Sequence, residues 1–288
     1  MTPKGQLLII GGKEDKDGNS PEMEKNNNNF SPNEILKLLA KSKDDRIEVI
    51  TAATSEPESM HETYTKTFEE IGYTNFGFLD ICDDQIHTDY HLKRVKAANT
   101  VFFTGGDQDR ICKIFQQSVL TDVLKEKYYN EENFMIAGTS AGAMCMPDIV
   151  ILEAINGEAI LEHDIELDCG LGLIGNCIID THFVHRARFG RLAHAVILHQ
   201  NSWGIGLGED TALLIEQGSK STCHGSGMVW VLNAKEIGQT NIETVKKGSP
   251  IYAEHLKVHI LTEGCKIDFN NNVFAGTSSE KSKNNKEE

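Results

Sequence analysis

The sequence predicts an α/β protein: a mainly parallel sheet with helices on both faces, extended in the second half by hairpin strands. Three features carry that prediction. Short β-rich runs alternate with amphipathic segments through the first half, and such alternation implies βαβ crossovers. Three of the runs end in glycine-rich turns (Gly11-Gly12, Gly105-Gly106, Gly138-Thr139-Ser140), where open parallel sheets place their ligands. The second half adds short strands without a Pro/Gly/Ser-rich linker. It therefore reads as one domain over 1–276, followed by a disordered polar tail over 277–288 that has no apolar residue.

In chain order, strands are predicted at 6–10, 47–51, 76–79, 100–104 and 134–137, with only Glu48 charged at a strand centre. Ser31-Pro32-Asn33-Glu34 predicts a helix start, with Ser as cap, Pro at the first helical position and Glu at the third. Helical spacing recurs at 57–71, 87–98 and 107–128. Further strands follow at 148–152, 178–181, 205–207, 212–216, 228–232 and 255–262, with one helix at 188–199. The Asn-rich run 26–29 reads as a surface loop.

The chain has 288 residues, 39% hydrophobic and 25% charged, with a formal charge of −15, the profile of a globular protein large enough for a sizeable core. That charge argues against nucleic acid as a partner, because phosphate binding needs a basic face. Seven cysteines (82, 112, 145, 169, 177, 223, 265) form no CxxC pair, which reads as reduced core thiols in a cytoplasmic protein. No run approaches membrane-span length or a signal-peptide core, so no membrane is expected.

The run Phe134–Ala137 leads into Gly138-Thr139-Ser140-Ala141-Gly142. A serine in G-x-S-x-G between strand and helix is a nucleophile elbow, its hydroxyl projected by the sharp turn. The helix that follows should direct free N–H groups at developing oxyanion charge. Such a serine needs a base and the base an orienting acid. His182 and His185 lie at the end of a predicted strand, and Glu209 and Asp210 end another. Arg186, Arg188 and Arg191 nearby suit carboxylate recognition, although a basic run also reads as a solvated face. The order Ser140…His182…Glu209 departs from that of the α/β-hydrolases, which would need Asp210 with His224 or His255. Metal readings (Asp180, His182 and His185, or His87 and His91) lack a further partner at diagnostic spacing, so no metal is assigned.

Taken in order, Gly11-Gly-Lys-Glu-Asp15, Thr51-Ala-Ala-Thr54, Phe103-Thr-Gly-Gly-Asp-Gln108, Gly138-Thr-Ser-Ala-Gly142, Gly170-Leu-Gly-Leu-Ile174, Asp180-Thr-His-Phe183, Arg188-Phe-Gly-Arg-Leu192 and Gly204-Ile-Gly-Leu-Gly-Glu-Asp-Thr-Ala212 resemble the cyanophycinases. These belong to the serine peptidase family that also holds the α-aspartyl dipeptidases. The resemblance spans roughly 6–275. It implies a flavodoxin-like or class I glutamine-amidotransferase-like fold, with Ser140 as nucleophile, His182 as general base and Glu209 as its orienting acid. It further implies an oxyanion hole at Gly106 and Ala141, and substrate contacts by Gln108, Asp180, Thr181, Arg186, Arg188 and Arg191. The expected reaction is exopeptidase release of β-aspartyl-arginine dipeptides from cyanophycin, a poly-aspartate carrying arginine on each side-chain carboxylate. No cofactor is implied, and a homodimer is expected. Thr181 stands where these proteins usually carry glutamine, and Gly208 where an aspartate often precedes the acid. Two further readings share the fold: a dipeptidase for small aspartyl or isoaspartyl peptides, and a non-catalytic binding module.

Overall fold

The computed structural model describes residues 1–17, 30–81, 89–155 and 159–277. The predicted loop at 26–29, His87 of the histidine pair, Cys82 and all of the tail except Thr277 lie outside the described residues.

A nine-stranded sheet forms the frame. Its parallel half consists of β1 (Gln6–Ile10), β2 (Ile47–Ile50), β3 (Phe76–Leu79), β4 (Thr100–Phe103) and β5 (Met135–Thr139), arranged β1-β5-β4-β2-β3. These strands are almost wholly buried toward the centre, as Val/Ile/Leu/Phe runs must be when helices cover both faces. One face packs on α1 (Pro57–Ile71), through Tyr64, Phe68 and Ile71. The other packs on α2 (Asp89–Ala97), α3 (Gln108–Phe115) and α4 (Val119–Asn130).

Four antiparallel strands extend this sheet beyond β1: β10 (Thr211–Glu216), β11 (Lys220–Gly225), β14 (Lys266–Asp268) and β15 (Val273–Ala275). The α/β class with hairpin extension is therefore as expected. The second half nevertheless does more than extend the frame. A separate sheet, ordered β13-β12-β9-β8, holds β8 (Cys177–Asp180), β9 (Trp203–Leu207), β12 (Val229–Asn233) and β13 (Lys257–Leu261), covered by α6 (Phe189–Leu198). A small ribbon pairs β6 (Ile149–Ala154) with β7 (Ile165–Cys169). One apolar cluster runs from Leu7 to Phe269 and joins both sheets.

Two predicted helices change. The segment 107–128 breaks at Gln117, whose φ is +56°, and Ser118 then caps α4 by accepting from Thr121 N at 3.2 Å. The expected helix at Ser31 is a turn leading into a 3-10 helix, Leu36–Leu39. Asn33 sits at φ +55° and donates its N–H to Asp15 Oδ2 at 2.8 Å, a long-range bond that overrides the local capping pattern.

Candidate active site

The end of β1 straps together three turns that are far apart in sequence. Successive carbonyls accept one backbone N–H each: Ile10 O from Ser140 at 3.0 Å, Gly11 O from His182 at 2.9 Å and Gly12 O from Asp210 at 3.0 Å. Ser140, His182 and Asp210 all have positive φ, +52°, +49° and +46°. Such conformations cost about 1–3 kcal/mol each in non-glycine residues and persist only where surroundings over-determine them; the β1 straps do so here.

Ser140 follows β5 and opens α5 (Ala141–Met144). This elbow needs small neighbours, because a Cβ on Gly142 would lie 2.3 Å from Phe103 O. With a single turn of helix, α5 carries little macrodipole, so the predicted dipole support reduces to local N–H groups. The Gly105-Gly106 turn lies against the serine, a Cβ on Gly105 falling 3.3 Å from Ser140 Cβ.

Ser140 Oγ lies 3.0 Å from His182 Nε2, and His182 Nδ1 lies 2.8 Å from Glu209 Oε1. The carboxylate at Nδ1 selects the tautomer protonated there, leaving Nε2 to accept the hydroxyl proton. Burial pushes the His182 imidazole below its ordinary value, with Arg186 and Arg188 adding to the shift and the Glu209 hydrogen bond opposing it. The ring is therefore neutral near pH 7, as a base must be. Burial would raise the Glu209 carboxyl, but hydrogen bonds from His182 and Lys13 and the charges of His185 and Lys13 hold it low. Lys13 Nζ is 3.2 Å from Oε1 and His185 Nε2 is 3.4 Å from Oε2. Gly12 is obligatory: its φ is +94°, and a Cβ there would lie 2.4 Å from His182 Nε2. A hydroxyl, a neutral imidazole and a carboxylate in this row are equipped for acyl transfer.

The sequence profile of Peptidase family S51 matches residues 18–223. The chain belongs to that family. A cyanophycinase of Trichormus variabilis is 32% identical over 91% of this chain and 84% of its own length. Another, of Geminocystis herdmanii, is 29% identical over 91% and 92%. Among solved structures, a peptidase from an acI-B1 actinobacterium superposes with a TM-score of 0.63 at 19% identity, covering 93% of this chain and 98% of that one. That likeness shows a shared fold.

In this S51 peptidase the remaining expected site residues divide. Arg186 is exposed beside the row and has no carboxylate partner among the described residues. Asp180 is turned to the protein's own arginines. It is fully buried, with Oδ1 accepting from Arg188 at 3.0 Å and from Arg191, and Oδ2 accepting from Arg191 Nε at 2.6 Å. It thus holds two of the protein's own guanidinium groups, and Arg191 is itself buried. Burial pushes the Arg188 guanidinium down to about 10 despite Asp180, with Arg191 and Arg186 contributing. Thr181 is also fully buried, its hydroxyl turned to Met144 Sδ at 3.3 Å. The substitution of threonine for glutamine therefore lies under the site. Gln108 Nε2 donates to Ile151 O and Leu152 O, at 3.1 and 2.6 Å, and so anchors β6.

Two of the alternative constellations do not assemble among the described residues. His224 faces Glu263, not Ser140, and Asp180 is occupied by arginines rather than available beside His182 and His185. Sequence reasoning missed Glu14 as a support. Its buried carboxylate accepts from Tyr64 OH at 2.7 Å and Thr139 Oγ1 at 2.5 Å, directly before the serine, and pairs with Lys16 at 2.9 Å. Its place two residues after Gly12 was the only available signal.

Proposed function

We propose that this protein is a serine exopeptidase that hydrolyses cyanophycin to β-aspartyl-arginine dipeptides. The observation that carries the reading is the row Ser140–His182–Glu209, at 3.0 and 2.8 Å, in a chain whose S51 relatives bear the name cyanophycinase. Ser140 Oγ attacks the scissile carbonyl while its proton passes to His182 Nε2. N–H groups of Gly106 and Ala141 receive the oxyanion, and His182 then delivers the proton to the departing amine. Water, deprotonated by His182, releases the acyl group and restores the hydroxyl. Arg186 meets a substrate carboxylate, while Arg188 and Arg191, held on Asp180, add positive potential behind it.

The same reading makes the protein a cytoplasmic homodimer; the described residues contain no helix long and apolar enough to cross a membrane. Mass spectrometry of products after incubation with insoluble cyanophycin, beside soluble aspartyl and isoaspartyl dipeptides, tests the substrate. Release of β-aspartyl-arginine is the expected outcome. Turnover of the dipeptides alone transfers the assignment to a dipeptidase, and the absence of Ser140 labelling by a fluorophosphonate transfers it to a binding module.

A further inference from the structure

Away from the triad, three ligand-bearing side chains from distant parts of the chain meet. Glu34, His224 and Glu263 each offer one ligand atom, and the three atoms lie within 4.8 Å of one another. Each comes from a tied-down segment. Gly225 N donates to Glu263 Oε2 at 2.7 Å, which leaves Oε1 3.5 Å from His224 Nδ1. The turn carrying Glu263 is zipped to β11 by Gly264 N→Cys223 O and Cys223 N→Cys265 O, both at 2.8 Å. Glu34 follows Asn33, whose backbone is fixed on Asp15.

Two observations separate this group from an ordinary surface cluster. The first is spacing. Two ligands each about 2.0–2.1 Å from a tetrahedral ion stand roughly 3.3 Å apart, and the His224–Glu263 donors already stand at 3.5 Å. The second is charge. All three residues are half-buried, and no lysine or arginine among the described residues lies within 4.0 Å of Glu34 or Glu263, Lys37 acting on Glu34 from beyond that distance while Asp210 adds a further negative charge. A protonated His224 would offset one carboxylate of the two. Facing carboxylates repel at close range, and a divalent cation turns that repulsion into attraction. One imidazole with two carboxylates suits a first-row transition ion better than Ca²⁺ or Mg²⁺, which favour all-oxygen shells.

We propose that Glu34, His224 and Glu263 bind one divalent transition-metal ion of the zinc type. The ion clamps the 31–35 turn and the 262–265 turn onto β11. Its role is structural, and it reaches the peptidase site only through neighbours: Ser226, one residue beyond β11, donates to Asp210 Oδ2 at 2.5 Å, and Asp210 adjoins Glu209.

The test uses the full chain after chelator treatment, titrated with Zn²⁺ by calorimetry and with Co²⁺ by visible absorption, beside Glu34→Gln and His224→Gln. One equivalent is expected to bind the unaltered chain and raise its thermal midpoint. Each variant should bind at least about tenfold more weakly and lose the metal-dependent rise. Metal-free Glu34→Gln should melt no lower than the parent, because the repulsion is gone, so failure to fold cannot imitate loss of binding. No stoichiometric binding, or binding equal in all three proteins, overturns the site and places any bound ion on other histidines or thiols.

Discussion

Two charged assemblies hang from the end of β8, two residues apart, and they are built for opposite tasks. Asp180 is fully buried and gripped by Arg191 and by Arg188, whose guanidinium, though pushed down to about 10, stays charged at neutral pH. His182 belongs to a row in which one member is neutral and can gain a proton, ending at a serine on the rim. The first assembly has nothing to give up, and so it fixes geometry. The second keeps one site whose protonation can change, and so it can do chemistry. The carboxylates are alike; their partners decide the difference.

The contrast is broken most directly at the serine. Ser140→Ala should lower turnover by about 10⁴–10⁶-fold with the thermal midpoint nearly unchanged; activity within tenfold of the parent would place the chemistry elsewhere. Glu209→Gln keeps the shape but loses the charge that holds the tautomer, and kcat should fall by about 10³–10⁴-fold. Asp180→Ala should act on stability instead. It strands two guanidinium groups at a cost of about 3–5 kcal/mol, to be measured by urea unfolding. Equal effects of these last two variants on both activity and stability would erase the distinction.

Titration sharpens the comparison further. Because the folded His182 pKa lies below the ordinary value of about 6.5, kcat/KM should rise through a pKa under that value and stay level at neutral pH. The same shift stabilises the fold above the unfolded value, a contribution that disappears as pH falls through the folded one. Arg186→Gln removes a positive charge that depresses His182, so the acid limb of the pH–rate profile should move upward. Lys13→Ala should matter least. Its ammonium is 72% exposed where it meets Glu209, and such pairs are worth about 1 kcal/mol or less, visible as a small change in the acid limb.

Much of the frame was readable because its signals are local. The strands near 6–10, 76–79 and 100–103 announce themselves as short apolar runs, and 57–71 as an amphipathic segment ended by Gly72, which takes φ +90°. The break at Gln117 was not readable, because continuous helical spacing hides a turn made by one residue at positive φ. Nor was the turn at Asn33, where an aspartate 18 residues upstream claims the N–H that a helix would need. At the site, the elbow serine and the strand-end histidine and acids stand out by pattern. The inward turn of Asp180 and Thr181 does not, since a charged or polar residue at a strand end looks the same whether it meets a ligand or two of the protein's own arginines.

By itself the sequence determined the alternation of strands and helices, the elbow around Ser140 and the residue types available near it, because each depends on neighbours a few positions away. Tertiary structure decided which of these meet. β8 lies in a second sheet, apart from the strand that carries the serine. Three consecutive carbonyls at the end of β1 bring residues 140, 182 and 210 into register. Backbone carbonyls are identical at every position, so no residue letter marks the ones that will be used as anchors; only the packing of one sheet's end against the other's selects them.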